Sequence, residues 1–274
     1  MNLSDDALAR VAAQLPDISK IANSLIIDPS VVASRTGPSG TLDVAVVCFN
    51  DAYNVLWESV HALGQAYSYL IWYREEAPGA PSDAYERSAV LFAKFYADDV
   101  ALRLYASGEH SAKFIKNFLK IDDAALKAFK EDLNKKSKIT VSSDQAVIGR
   151  FTVQNYPDHP ISKSIKALLV EGSWGKTRKY RDTWVHEQPP LLDGFGITYE
   201  RKSRWEMKEG YADLFIGGGD APKMTVDELV GMVAAACHAY ARHLSELFDV
   251  LLTELDGKYG IKFDFDKGNI TFSL

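Results

Sequence analysis

The chain reads as a mainly α protein, a helical bundle with a small antiparallel β element in its C-terminal half, organised as a single domain over residues 1–274. Three observations predict this. Two long stretches, about 41–75 and 225–256, repeat apolar residues every three or four positions, which is the period of an amphipathic helix. A third stretch, 82–106, does the same. Two-residue alternation, the mark of strands, is confined to additions at about 196–216 and 261–274.

In chain order, a turn-rich break at Asp28–Gly40 precedes the first long helix, whose core face is Leu42, Ala45, Phe49, Leu56, Leu63 and Leu70. The helix over 82–106 turns Phe92, Phe95 and Tyr96 inward, with Asp99 on the same side and Arg103 one turn later as its ion-pair partner. Gly108 is expected to end that helix. Shorter helices follow near 112–119, 123–135, 144–154 and 160–171. Gly196–Arg201 and Tyr211–Ile216 form a pair of short strands, and Gly217–Gly219 connects them flexibly to the last long helix. That helix opens with Thr225 and Glu228 at capping-box spacing. Finally, Ile261, Phe263 and Phe265 alternate with polar residues, turn at Lys267–Asn269, and return through Ile270, Phe272 and Leu274.

With 47% hydrophobic and 25% charged residues, the composition is that of a soluble globular protein. Cys48 and Cys237 lie far apart in apolar helical patterns, which points to reduced thiols and a cytoplasmic protein. No apolar run approaches the ~18 residues of a membrane span, so no membrane association is expected. A net charge of -6 argues against indiscriminate nucleic-acid binding, but the charge is uneven. Between Lys163 and Arg181 six basic residues face only Glu171, whereas Glu206 to Asp256 is strongly acidic. The basic run closes with Lys176, Arg178, Lys179 and Arg181.

It ends on the most informative segment of the chain, Arg181-Asp182-Thr183-Trp184-Val185-His186. A fixed cation and a titratable imidazole stand five positions apart, the pair that metal-free phosphodiester chemistry needs. His186 would serve as general base or acid on a ribose 2'-hydroxyl, and Arg181 would stabilise charge on the scissile phosphate. Asp182 would orient them. Tyr180 and Trp184 offer faces on which bases stack, and Lys176, Arg178 and Lys179 offer phosphate contacts. Pro189–Pro190 ends the helix beyond the motif. Residues five apart on a regular helix point about 140° away from one another, so convergence needs a kink, a helix end or a second subunit. Arg103 and His110 make a second match at wider spacing, ranked lower because Leu104 rather than a polar residue follows the Arg.

The segment resembles the Arg-x4-6-His motif of the HEPN superfamily, helical-bundle proteins in which a polar residue such as Asp commonly follows the Arg. That resemblance implies a HEPN-like bundle, a homodimer with two motifs meeting at its seam, and endoribonuclease activity on RNA in stress response or phage defence. It also implies an antitoxin partner. The alternative, from another class, is a non-catalytic HEPN-like dimer binding RNA, a nucleotide or a protein through the same basic surface. No metal and no cofactor enter either scheme. Glu58 and His61 form a single Glu-x-x-His step, half of a di-metal ligand set whose other half the sequence lacks. Cys237, His238 and His243 have no metal-ligand spacing.

Overall fold

A computed structural model describes residues 3–37, 41–76, 83–137, 143–186, 203–208, 211–216, 224–265 and 269–272. Helices dominate them. In order they are α1 (Asp5–Ala13), α2 (Ser19–Ala22), α3 (Pro29–Thr36), α4 (Leu42–Ile71), α5 (Asp83–Phe118), α6 (Asp123–Ser137), α7 (Asp144–Asn155), α8 (Pro160–Val170), α9 (Gly172–His186) and α10 (Val226–Tyr259). The strands β1 (Ser203–Lys208) and β2 (Tyr211–Ile216) pair antiparallel, with Trp205 opposite Leu214. A second hairpin joins β3 (Ile261–Asp264) to β4 (Asn269–Phe272), with Ile261 opposite Phe272.

The long helices α4, α5 and α10 form the centre. Phe49 and Leu56 of α4, Leu104 and Phe114 of α5, and Leu244 and Phe248 of α10 are fully buried in one core cluster. Burying each such side chain contributes about 1.5–3 kcal/mol. Phe49 joins the three helices, edge-on to Phe114 at 5.3 Å and stacked on Phe248 at 5.5 Å. The capping box starts α10: the Thr225 hydroxyl accepts from the Glu228 N–H at 3.1 Å, and the Glu228 carboxylate accepts from the Thr225 N–H at 2.8 Å. Gly260, at φ 64°, ends it in the left-handed conformation that glycine adopts without steric cost.

Four expectations need correction. The helices expected at 82–106 and 112–119 are one, α5, which runs through Gly108. A β-carbon at Gly108 would stand 2.2 Å from the Gln145 amide nitrogen, so this glycine admits a side chain from α7 and does not stop a helix. Phe92 and Phe95 do not point inward; they are 44% and 61% exposed. The inner face belongs to Ala89, Ala93, Ala97 and Ala101, a four-residue ladder of small side chains that lets α5 lie close against α4. The break at Asp28–Gly40 contains α3, capped by Asp28, whose carboxylate accepts from the Ser30 N–H at 2.8 Å. The partner of β2 is Ser203–Lys208; the expected strand at Gly196–Arg201 lies outside the described residues, as do Gly217–Gly219 and Pro189–Pro190.

Candidate functional site

Helix α9 carries the motif and is fixed to the bundle by its inner face. Trp174 is buried and stacks flat on Tyr240 of α10, ring centroids 5.0 Å apart. Thr177 is buried one turn on. Tyr180 follows, buried, its hydroxyl donating to Asp98 of α5 at 2.6 Å. Asp98 also accepts from Lys94 Nζ at 2.6 Å, one turn back on its own helix. Burial, and then the charge of Asp98, push the Tyr180 phenol far above its ordinary range, so it stays a donor. Trp174 and Arg178 lie near Ser111 and Ile115, while Arg181 lies over Tyr105 and Tyr180 meets Asp98. Helix α9 therefore runs antiparallel to α5.

The expectation that Tyr180 offers a stacking face is corrected by this arrangement. Its ring belongs to the core, and its role is to anchor α9. A buried carboxylate on α5 was the missing information, because sequence drew attention to Asp99 and not to its neighbour Asp98. Asp99 does pair with Arg103, at 2.8 Å, and Arg103 also pairs with Glu58 of α4.

Arg181 sits at the edge of the bundle. Its guanidinium carbon is 3.8 Å above the centre of the Tyr105 ring, within cation–π reach. One terminal nitrogen lies 3.0 Å from Asp182, and the side chain is 19% exposed. Arg181 Nε has no hydrogen-bond partner among the described residues. Asp182, Lys176 and Lys179 are exposed, and Trp184 is half-buried. With Lys163 and Lys166 on α8, also exposed, the two lysines of α9 supply four outward cations. Arg178 departs from this set. It is half-buried and lines a cavity among α5, α7, α8 and α10.

Helix α9 is unbroken from Gly172 to His186, which is its last residue; the His186 imidazole lies outside the described residues. The helix is not interrupted between Arg181 and His186. Of the three routes to convergence, the helix end and a second subunit remain.

The other chemistry-bearing residues are absorbed locally. Glu58 serves Arg103, and His61 stacks on Trp57 at 6.1 Å. Cys237 is buried, which pushes its thiol up to about 12 and makes it unreactive. His243 is buried with Nδ1 2.7 Å from Ser164 Oγ, and desolvation lowers its pKa to about 4, so the imidazole is neutral near pH 7. Among the described residues no helix is long and apolar enough to cross a membrane. Compared with known proteins, the chain matches no family model, no curated protein and no solved structure.

Proposed function

We propose that the chain is a metal-independent endoribonuclease of HEPN type, acting as a homodimer. The observation that carries this reading is the setting of Arg181: a guanidinium held at the bundle edge by Tyr105 and Asp182, on a helix that ends at His186. In this scheme His186 takes the proton of a ribose 2'-hydroxyl. The 2'-oxygen then bonds to phosphorus, the bond from phosphorus to the 5'-oxygen breaks, and a proton returns to that oxygen. Arg181 stabilises the charge that builds on the phosphate oxygens, and Asp182 holds the guanidinium in position. Lys176 and Lys179 draw the backbone in, with Trp184 as the remaining aromatic beside the motif. Because α9 is one continuous helix over the motif, the histidine of one protomer would complement the arginine of its partner across a two-fold axis.

A second reading is favoured by one contact. The Asp182 carboxylate already occupies a terminal nitrogen of Arg181, which suits a non-catalytic dimer that binds RNA, a nucleotide or a protein partner. One experiment separates the two. Purified protein incubated with single-stranded RNA in EDTA is expected to cleave it, leaving 2',3'-cyclic phosphate ends, and the His186→Ala variant is expected to bind RNA without cutting. Binding without cleavage by the unsubstituted protein would establish the second reading.

A further inference from the structure

The bundle encloses a cavity of about 230 Å³ between α5, α7, α8, α9 and α10, next to the motif helix and separate from Arg181. A cavity of about 150 Å³ holds one benzene ring, so this one admits a ring with substituents. Its walls are Ile115, Ile165, Leu168 and Trp174, and exposed Arg150 and Leu169 stand at the rim. The described lining includes two guanidinium groups, Arg150 and Arg178, and no carboxylate. Two buried polar atoms on this wall, Arg178 Nε and Gln145 Oε1, have no hydrogen-bond partner among the described residues. One is a donor and the other an acceptor. A buried polar group left unmet costs about 1–3 kcal/mol. The position of Gln145 is built in as well, since its amide occupies the space that any side chain at Gly108 would take.

We propose that this cavity is a binding site for a small aromatic carboxylate carrying a hydroxyl group. The ring fills the apolar body beside Trp174. The carboxylate pairs with the Arg178 guanidinium in a charge-assisted hydrogen bond, and the hydroxyl pairs with the Gln145 amide as the two side chains turn to meet the ligand. This assignment moves Arg178 from the RNA-facing set to a separate site, and it stands whether or not the protein cuts RNA.

The probes are 4-hydroxyphenylacetate and two relatives that each lack one group: phenylacetate, without the hydroxyl, and 4-hydroxyphenylacetamide, without the charge. Isothermal titration into the full chain at pH 7 is expected to give saturable one-to-one binding of the first, with each relative weaker by about tenfold, the cost of one good hydrogen bond. A β-carbon at Gly149 would have only Ile165 Cγ2 near it, at 3.8 Å, so Gly149→Leu grows into the cavity without a backbone clash and improves helix propensity. It is expected to lower affinity by more than about tenfold. Ala146→Leu, on the same wall, provides an independent block, and circular dichroism checks that both variants are folded. Arg178→Gln is expected to make the acid and the amide bind equally. Absence of saturable binding overturns the proposal. So does binding that survives both blocking substitutions, or a preference for the acid that survives Arg178→Gln.

Discussion

Two places in this molecule carry an arginine followed by a histidine with four to six residues between them, and they differ in what surrounds them. Arg103 and His110 stand seven residues apart on α5, which puts them on one face of the helix, two turns from each other. By angle alone this is the better pair. Both, however, face carboxylates: Arg103 pairs with Asp99 and Glu58, and His110 Nδ1 lies 3.7 Å from Asp51. A phosphate would meet three acids there. Among the described residues Arg181 has one carboxylate, Asp182, and otherwise the face of Tyr105, while exposed lysines stand along α9. Spacing alone would choose the pair on α5. The surrounding charge chooses α9, and the anchoring of the two arginines adds to the contrast, since Arg181 follows the buried Tyr180 anchor whereas Arg103 is tied by partly exposed ion pairs.

The largest expected effect breaks the comparison at its centre. Arg181→Ala and His186→Ala should each lower RNA cleavage in EDTA by about 10²-fold or more, the range for losing a general base or a charge-stabilising group. Arg103→Ala and His110→Ala should leave the rate within about threefold, because no step of the scheme uses them. Initial rates on a fluorescent RNA oligonucleotide measure both. The reverse ranking would transfer the site to α5.

Acid should separate the two regions next. His243, beneath the cavity beside α9, is buried against Ser164 of α8 and Tyr240 of its own helix; desolvation disfavours a proton on the imidazole, and the hydrogen bond to Ser164 offsets only part of that. Its folded pKa is about 4, against an ordinary value of 6.5. As pH falls below about 6.5 the unfolded chain binds a proton that the folded chain refuses, so stability declines down to about pH 4. The loss over that window is roughly 3 kcal/mol, at about 1.4 kcal/mol per pH unit where steepest. Urea titrations between pH 7 and 4 should show the slope, and His243→Gln should flatten it. An unchanged slope in that variant would mean that carboxylates elsewhere set the acid response.

The anchor itself can be weakened without a cavity. Tyr180→Phe keeps the buried ring and removes only the hydroxyl that donates to Asp98, leaving that carboxylate with Lys94. Losing a hydrogen bond to a buried charged acceptor should cost about 1.5–3 kcal/mol, read as a lower urea midpoint at unchanged slope. Cleavage at a temperature where the variant is folded should fall far less than in Arg181→Ala. A midpoint that does not move would show that Trp174 and Thr177 suffice to hold α9.

What could be seen in the sequence follows the range of the interactions involved. The long helices were legible because their periodicity is repeated over many turns, and the start of α10 because Thr225 and Glu228 satisfy each other locally. Gly108 misled because its reason is Gln145, on another helix. Phe92 and Phe95 misled because large apolar residues suggest a core face, while close packing against α4 selected the alanine ladder. The motif was legible as a string; the burial of Tyr180 and the turn of Arg178 into a cavity were not, since both depend on partners on α5, α7 and α10. Asp98 and the cavity left no local pattern to find.

The smallest expected effect concerns the seam. Arg103 is tied to two carboxylates, which on a diagram looks like a strong cluster, yet its side chain is 38% exposed and that of Glu58 is 47% exposed. In water of high dielectric the Coulomb gain is modest and the entropy of holding long side chains offsets much of it, so such pairs contribute about 0–1 kcal/mol. A double-mutant cycle of Arg103→Met with Glu58→Gln should therefore give a coupling energy below about 1 kcal/mol, shrinking further in 0.5 M salt. A coupling of several kcal/mol would mean that the seam is desolvated in solution, as it would be if a second subunit covered it. In that case the α4–α5 face, rather than the end of α9, would be where two copies of the chain meet, and the motif would lie away from the dimer axis.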